Sequence, residues 1–237
     1  MAQVTHLNRE QREQREQNWT RSGPVASRIL QGDEIETLED RAAATVADPA
    51  PMGMWAFATG TWILGTVFGG AFTTPSAAAA LIPILIAFSG VAQFIAGLYA
   101  YRRANVLDAT AFCSFGSLYV AIGALFALQL RGVVPATGDP AVFLGFLLLS
   151  FAFISLALTI SAFAINIGLV ATMGLRTVGF CLAGIAGLYG AGIGNFIIGE
   201  IGGWFLCGAA LVSFYLGMAL IVNSTWGRTV LPLGGNP

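Results

Sequence analysis

Residues 52–223 run through about six apolar segments almost without charge, and residues 52–237 as a whole carry only eight Asp, Glu or Arg side chains. A soluble domain of 237 residues needs a far more polar surface than a chain that is 56% hydrophobic and 10% charged can provide. Most of the surface must face lipid, and the expected class is an all-α integral membrane protein. Each ionisable residue inside the apolar run then needs its own explanation, Arg176 above all.

The rest of the charge sits in residues 1–51, which hold six of the eleven basic residues and nine of the twelve acidic ones. This arm contains a threefold repeat, Arg9-Glu10-Gln11, Arg12-Glu13-Gln14 and Arg15-Glu16-Gln17. Its charges pair at i,i+4 spacing along a solvated or partner-dependent helix. Residues 32–51 are acidic and alanine-rich, lack the compact apolar core of a secretory signal, and read as a tether kept on the mature protein. The expected organisation is a polar cytoplasmic arm over 1–51, flexible or partly helical, a six-helix membrane domain over 52–226, and a short cytoplasmic tail over 227–237.

Several chemistries are disfavoured by what the chain lacks. All three cysteines, Cys113, Cys181 and Cys207, lie in apolar segments without Cys-x-x-Cys spacing, so neither a disulfide framework nor a metal site is expected. The only histidine, His6, is in the arm. Paired intramembrane carboxylates, a nucleophile with its base, and a nucleotide-binding loop are absent from the sequence, which argues against an enzyme, a cofactor or ATP drive within this chain. No basic stripe with interleaved aromatics suggests nucleic acid.

Apolar length predicts helices over residues 53–73, 79–101, 109–130, 141–164, 167–190 and 203–224, each roughly the 20 residues a hydrocarbon core demands. Ala164-Ile165-Asn166 is the weakest break, because residues 141–175 contain no charge. With both termini in one compartment, Arg41, Arg102, Arg103 and Arg228 fall on one side and only Arg131 on the other, which predicts cytoplasmic termini. Trp204 and Trp226 bracket the last segment as interfacial anchors would.

Asp48-Pro49-Ala50-Pro51-Met52-Gly53 opens the first segment with two prolines at a helix start, where a missing N–H costs nothing. Asp48 can cap that helix, and the exposed N–H groups can equally attract an anion. This Pro-Ala-Pro-x-Gly motif occurs together with Ser89-Gly90-Val91-Ala92-Gln93, Ala96-Gly97-Leu98, the run Thr110-Ala111-Phe112-Cys113-Ser114-Phe115-Gly116-Ser117, and Gly227-Arg228-Thr229-Val230-Leu231-Pro232-Leu233-Gly234. Together, in order and spacing over about residues 48–234, these resemble the acetate uptake transporter family, which includes the bacterial succinate-acetate permeases and fungal acetate permeases.

The resemblance implies six helices per protomer in a homo-hexameric ring, with one pore per protomer for acetate and related small monocarboxylates. It also implies an apolar and aromatic constriction from helices 1, 3 and 5, to which Phe57 and Phe115 would belong. Relatives often have tyrosine in place of Phe115. An apolar throat suits the methyl end of acetate, and dry constrictions gate water and ions. Absent the resemblance, ordinary helix packing explains both phenylalanines. Gln93 and Ser114, beside the matched motifs, are available to meet a carboxylate or to bond between helices.

Matching relatives from Phe143 onward places Leu175 and Arg176 close to the apolar residue that helix 5 gives the constriction. Two readings of Arg176 stay open: a fixed positive site that binds an anion, or a side chain that snorkels to the cytoplasmic surface from a helix beginning near Leu175. Ala100 and Asp48 are further departures at the cytoplasmic mouth.

The leading functional expectation is passive or proton-linked passage of acetate-like carboxylates across the plasma or inner membrane. The alternative is a non-conducting membrane subunit of the same fold that binds a protein partner through residues 1–45. An ammonium path fits poorly with a buried arginine. Small residues at Ala56 and Gly60, Gly65 and Gly69, and Ala183, Gly187 and Ala191 allow close helix approach, within a protomer or between protomers.

Overall fold

Proline, glycine and capping asparagine set the helix boundaries in the computed structural model, which describes residues 46–72, 75–190 and 192–235. The Arg-Glu-Gln repeat and nearly all of the arm lie outside the described residues. Helix α1 (Ala50–Phe68) starts at Pro51 in its first turn and ends in a Schellman turn: Gly70 takes φ +70° and the Ala71 N–H donates to the Thr66 carbonyl at 3.0 Å. That turn stops the helix well short of residue 73.

The second segment is composite: α2 (Pro75–Ile84), a π-helical stretch (Leu85–Ala92) and α3 (Gln93–Arg102). Pro83 lies inside α2 and has no N–H to donate, so the hydrogen-bond register widens directly after it. Helix α4 (Val106–Leu130) is capped by Asn105, whose side chain accepts from the Asp108 N–H. Then follow α5 (Asp139–Ala162) and α6 (Ile167–Gly187), the latter capped by Asn166 accepting from the Leu169 N–H at 2.8 Å. The break at residues 164–166 therefore stands where the sequence places it.

The last segment differs from expectation. Helix α7 spans Ile197–Trp226, so the stretch up to Gly203 is largely helical and Glu200 sits in its first turn rather than in a loop. Trp204 consequently lies inside the helix, not at its start. Gly202 and Gly203 read as breakers by propensity, but each is a contact point. A Cβ on Gly202 would stand 2.8 Å from the Gly179 carbonyl oxygen of α6, and one on Gly203 2.6 Å from the Gly65 carbonyl oxygen of α1. Close backbone packing outweighs the propensity cost of roughly 1 kcal/mol per glycine.

Five stretches, Ala79–Arg102 and the helices α4 to α7, are long and apolar enough to cross a membrane. Helix α1 is diluted by threonine and glycine and is instead largely interior, with twelve of its nineteen residues buried. It packs on α7 and on the second segment, α7 packs on α6, α6 on α5, and the second segment on α4. Several of the small residues act within the chain, since Gly65 and Gly69 meet α7 and Gly187 meets Gly145 of α5, whereas Ala191 lies outside the described residues. The outer face of α5 carries Phe143, Phe146, Phe153 and Ile160, each at least 60% exposed, as a lipid-facing surface requires.

After α7 the chain folds back. Asn223 holds it with three hydrogen bonds, accepting from the Val230 and Leu231 N–H groups and donating to the Leu231 carbonyl, at 2.7 to 2.9 Å. The Tyr215 hydroxyl donates to the Pro232 carbonyl, and the Ile167 N–H donates to Gly234, both at 2.8 Å. We expect Asn223→Ala to release this strap and speed tryptic cleavage after the exposed Arg228 several-fold, because local opening governs access. Mass spectrometry of a timed digest measures it, and an unchanged rate would mean that Tyr215 and Ile167 hold the strap alone.

Candidate functional site

A cavity of about 250 Å³ opens where the N-terminal ends of α1, α4 and α6 converge. Asp48, Ala50 and Met54 line it from α1 and its approach, Asn105 and Asp108 from α4, Asn166 and Leu169 from α6, with Leu233 of the strap on one wall. Three helix N-termini each carry a partial positive charge of roughly half a unit, which favours an anion. The two carboxylates are tied locally: Asp48 Oδ1 accepts from the Ala50 N–H at 3.0 Å, and Asp108 Oδ2 accepts from Asn105 Nδ2 at 2.8 Å.

The three helices share a register. Ala50, Asp108 and Leu169 at the cavity precede Phe57, Phe115 and Arg176 by seven residues each. Seven residues are close to two turns and about 10 Å of rise, so each deeper residue lies on the cavity-lining face of its own helix. Phe57, Phe115 and Arg176 are all fully buried.

At that level the Arg176 guanidinium carbon stands 3.4 Å from the centre of the Phe115 ring and 4.2 Å from that of Phe57. The two rings meet edge to face, 6.0 Å apart. Phe115 also touches Phe151 of α5 at 5.4 Å and stacks on Phe180 of α6 at 6.1 Å, so four helices meet at one aromatic hub. Arg176 Nε donates to Ser155 Oγ at 3.2 Å, and Nη2 donates to the Met173 thioether at 3.0 Å. Nη1 has no partner. This side chain does not snorkel: α6 begins nine residues earlier, and the guanidinium is enclosed.

Magnitudes show that the rings do not fully compensate this charge. A desolvated cation–π contact contributes about 2 kcal/mol. Burying one ion costs several kcal/mol even after relaxation, and a thioether is a weak acceptor. The cluster is thus a positive, under-coordinated group within buried aromatic packing.

One turn further on, Thr61 and Tyr119 share a buried hydrogen bond of 2.6 Å that ties α1 to α4. Tyr119→Phe leaves the Thr61 hydroxyl unpaired and is expected to cost about 1–3 kcal/mol, read as a lower melting temperature of the purified protein. Adding Thr61→Val should restore most of the loss, since both partners are then apolar. No recovery in the double variant would show that the bond donated by the Tyr119 hydroxyl to the Phe57 carbonyl carries the effect.

Other residues expected at the site lie elsewhere. Leu175 points toward α7, 3.7 Å from where a Cβ on Gly208 would stand, and is not in the aromatic cluster. Ser114, half-buried, is one residue out of phase with Phe115. Gln93 is fully buried at the start of α3 with neither amide atom paired among the described residues, as is the Ser89 hydroxyl one π-helical turn earlier. Pro49 and Pro51 shape the start of α1, and Gly53 leaves room for the Phe112 ring against it. Sequence reasoning missed Ser155, Met173, Phe151 and Phe180, because a serine, a methionine and two phenylalanines within apolar helices carry no distinguishing pattern.

Residues 32–233 match the GPR1/FUN34/yaaH family model. The chain is 32% identical to the succinate-acetate/proton symporter SatP of Escherichia coli K12 over 193 residues, covering 80% of this chain and 96% of that protein. It is 26% identical to acetate permease A of Emericella nidulans, over 82% of this chain and 68% of that one. The solved structure of the bacterial acetate channel SatP superimposes with a TM-score of 0.71 at 30% identity, over 80% of this chain and 99% of the other. Apolar helices, the shared architecture and the extent of these matches together make this a multi-pass membrane protein that belongs to the GPR1/FUN34/yaaH family.

Proposed function

We propose that this protein carries acetate and related short monocarboxylates across a cell membrane, passively or with a proton, through a path within each protomer. The observation that carries this reading is the common register of α1, α4 and α6. It aligns a cavity rimmed by three helix N-termini with a buried aromatic and cationic layer two turns deeper. An anion with a small apolar end matches both parts: N-termini attract its charge, and the rings of Phe57 and Phe115 accept its methyl group. Relatives named for acetate and succinate support the substrate class.

Arg176 also weighs against a cation. One relative, from Saccharomyces cerevisiae, is named ammonia transport outward protein 2 and is 29% identical over 75% of this chain. A fixed positive charge in the throat would repel ammonium. In our reading α1 makes a sixth crossing, both termini face the cytoplasm of a plasma or inner membrane, and the protomers form a hexameric ring.

The test is uptake of carbon-14 acetate into proteoliposomes containing the purified protein. Saturable uptake above that of empty vesicles, reduced by unlabelled propionate, is the expected result. Uptake no faster than in empty vesicles would reject transport and favour a non-conducting subunit that recruits a partner through residues 1–45.

A further inference from the structure

We propose that Arg176 forms a built binding site for one small carboxylate, held at the Nη1–Nη2 edge of its guanidinium and fixed in orientation by Ser155. The inference rests on the transport reading only for the route by which the anion arrives.

Hydrogen-bond polarity assigns the edges of the guanidinium. Ser155 Oγ donates its single proton to the Met173 carbonyl at 3.1 Å, so it meets Arg176 Nε as an acceptor. Nε is thereby committed, and the plane of the group is set. Phe57 and Phe115 lie against the guanidinium, whose donors are carried on its rim. On that rim Nη1 is unpartnered, and Nη2 has only a thioether, which a carboxylate oxygen displaces readily. Two parallel N–H donors on one edge match the two oxygens of a carboxylate.

The surroundings select further. Phe115 and Phe57 provide apolar walls against the guanidinium, which suit a short alkyl group and give a second carboxylate no donor. An ordinary structural salt bridge would have its own acid, and neither hydrogen bond made by this guanidinium goes to a carboxylate. The lack of a counter-charge among the described residues is the feature that points to a ligand. The site takes a monocarboxylate such as acetate in preference to a dicarboxylate.

Equilibrium dialysis of carbon-14 acetate against detergent-purified protein tests this without any measurement of flux. Wild type is expected to bind one acetate per chain saturably. Arg176→Leu should weaken binding by at least about tenfold, the effect of losing a charge-assisted contact. Arg176→Lys keeps the charge but not the fork and should fall between them. Ser155→Ala should weaken binding several-fold through loss of orientation, and Ser155→Thr, which keeps the hydroxyl, should recover it. Each variant is compared at a matched elution profile and melting temperature.

Equal binding by wild type and Arg176→Leu, or no saturable binding by wild type, would overturn the site even if vesicles take up acetate. Arginine-dependent binding without uptake would instead keep the site and reject transport. Succinate competing as well as propionate would remove the monocarboxylate preference.

Discussion

Arg176→Leu is expected to raise the half-saturation concentration for acetate flux by about 10–100-fold and to raise the maximal flux with it. A charge-assisted hydrogen bond contributes about 1.5–3 kcal/mol, which corresponds to that range of affinity. Conduction needs a site attractive enough to fill and weak enough to empty. A guanidinium in contact with Phe57 and Phe115, with an unpartnered N–H group, would fill easily and empty slowly. Leucine leaves an apolar throat through which acetate passes with little pause. Initial rates in proteoliposomes over a wide acetate range read both parameters from one experiment. If the half-saturation concentration stays fixed while the flux changes, Arg176 acts on the helices and not on the anion.

Gly203→Val should abolish recoverable folded protein. Its first side-chain carbon would stand 2.6 Å from the Gly65 carbonyl oxygen and 2.7 Å from the Gly69 Cα, backbone atoms of α1 and of its C-cap. Backbone cannot turn aside as a flexible side chain can, so α1 and α7 must separate along their length. Overpacking of this kind costs typically 1–3 kcal/mol and more where backbone must move. Separation would also displace Phe57 from the cluster, since α1 carries it. Gly208→Ala, on the same helix but 3.7 Å from the Leu175 side chain, is the control and should express normally. Size-exclusion profiles of the two variants in detergent decide the matter, and a normal profile for Gly203→Val would show that this crossing is compliant.

What the sequence made legible follows from what it encodes locally. Apolar length and the Pro51 and Asn166 signals placed most helices within a few residues, because a hydrocarbon core leaves few alternatives to a helix about 20 residues long. The start of α7 was misplaced because glycine is ambiguous. At Gly202 and Gly203 it permits close packing, which propensity alone reads as a break. Buried arginine stood out at once, since charge at depth is costly whatever surrounds it. Its partners did not stand out. Ser155 and Met173 reach it only because α5 and α6 pack in one particular register, and no pattern within either helix records that pairing. Leu175 and Arg176 could not be separated by position alone, whereas the 100° turn between neighbouring residues puts one against α7 and the other in the aromatic hub.

Site-directed labelling would test most directly whether the solute path runs along the aligned faces of α1, α4 and α6. In a chain whose three cysteines are replaced by alanine, Leu169→Cys places a thiol in the cavity two turns before Arg176, and Ile160→Cys places one on the exposed face of α5. Complete modification by a negatively charged thiosulfonate is expected to stop acetate uptake through the Leu169→Cys protein, to be slowed there by acetate, and to leave the Ile160→Cys protein unaffected. Undiminished uptake by fully modified Leu169→Cys protein would contradict a path through this cavity.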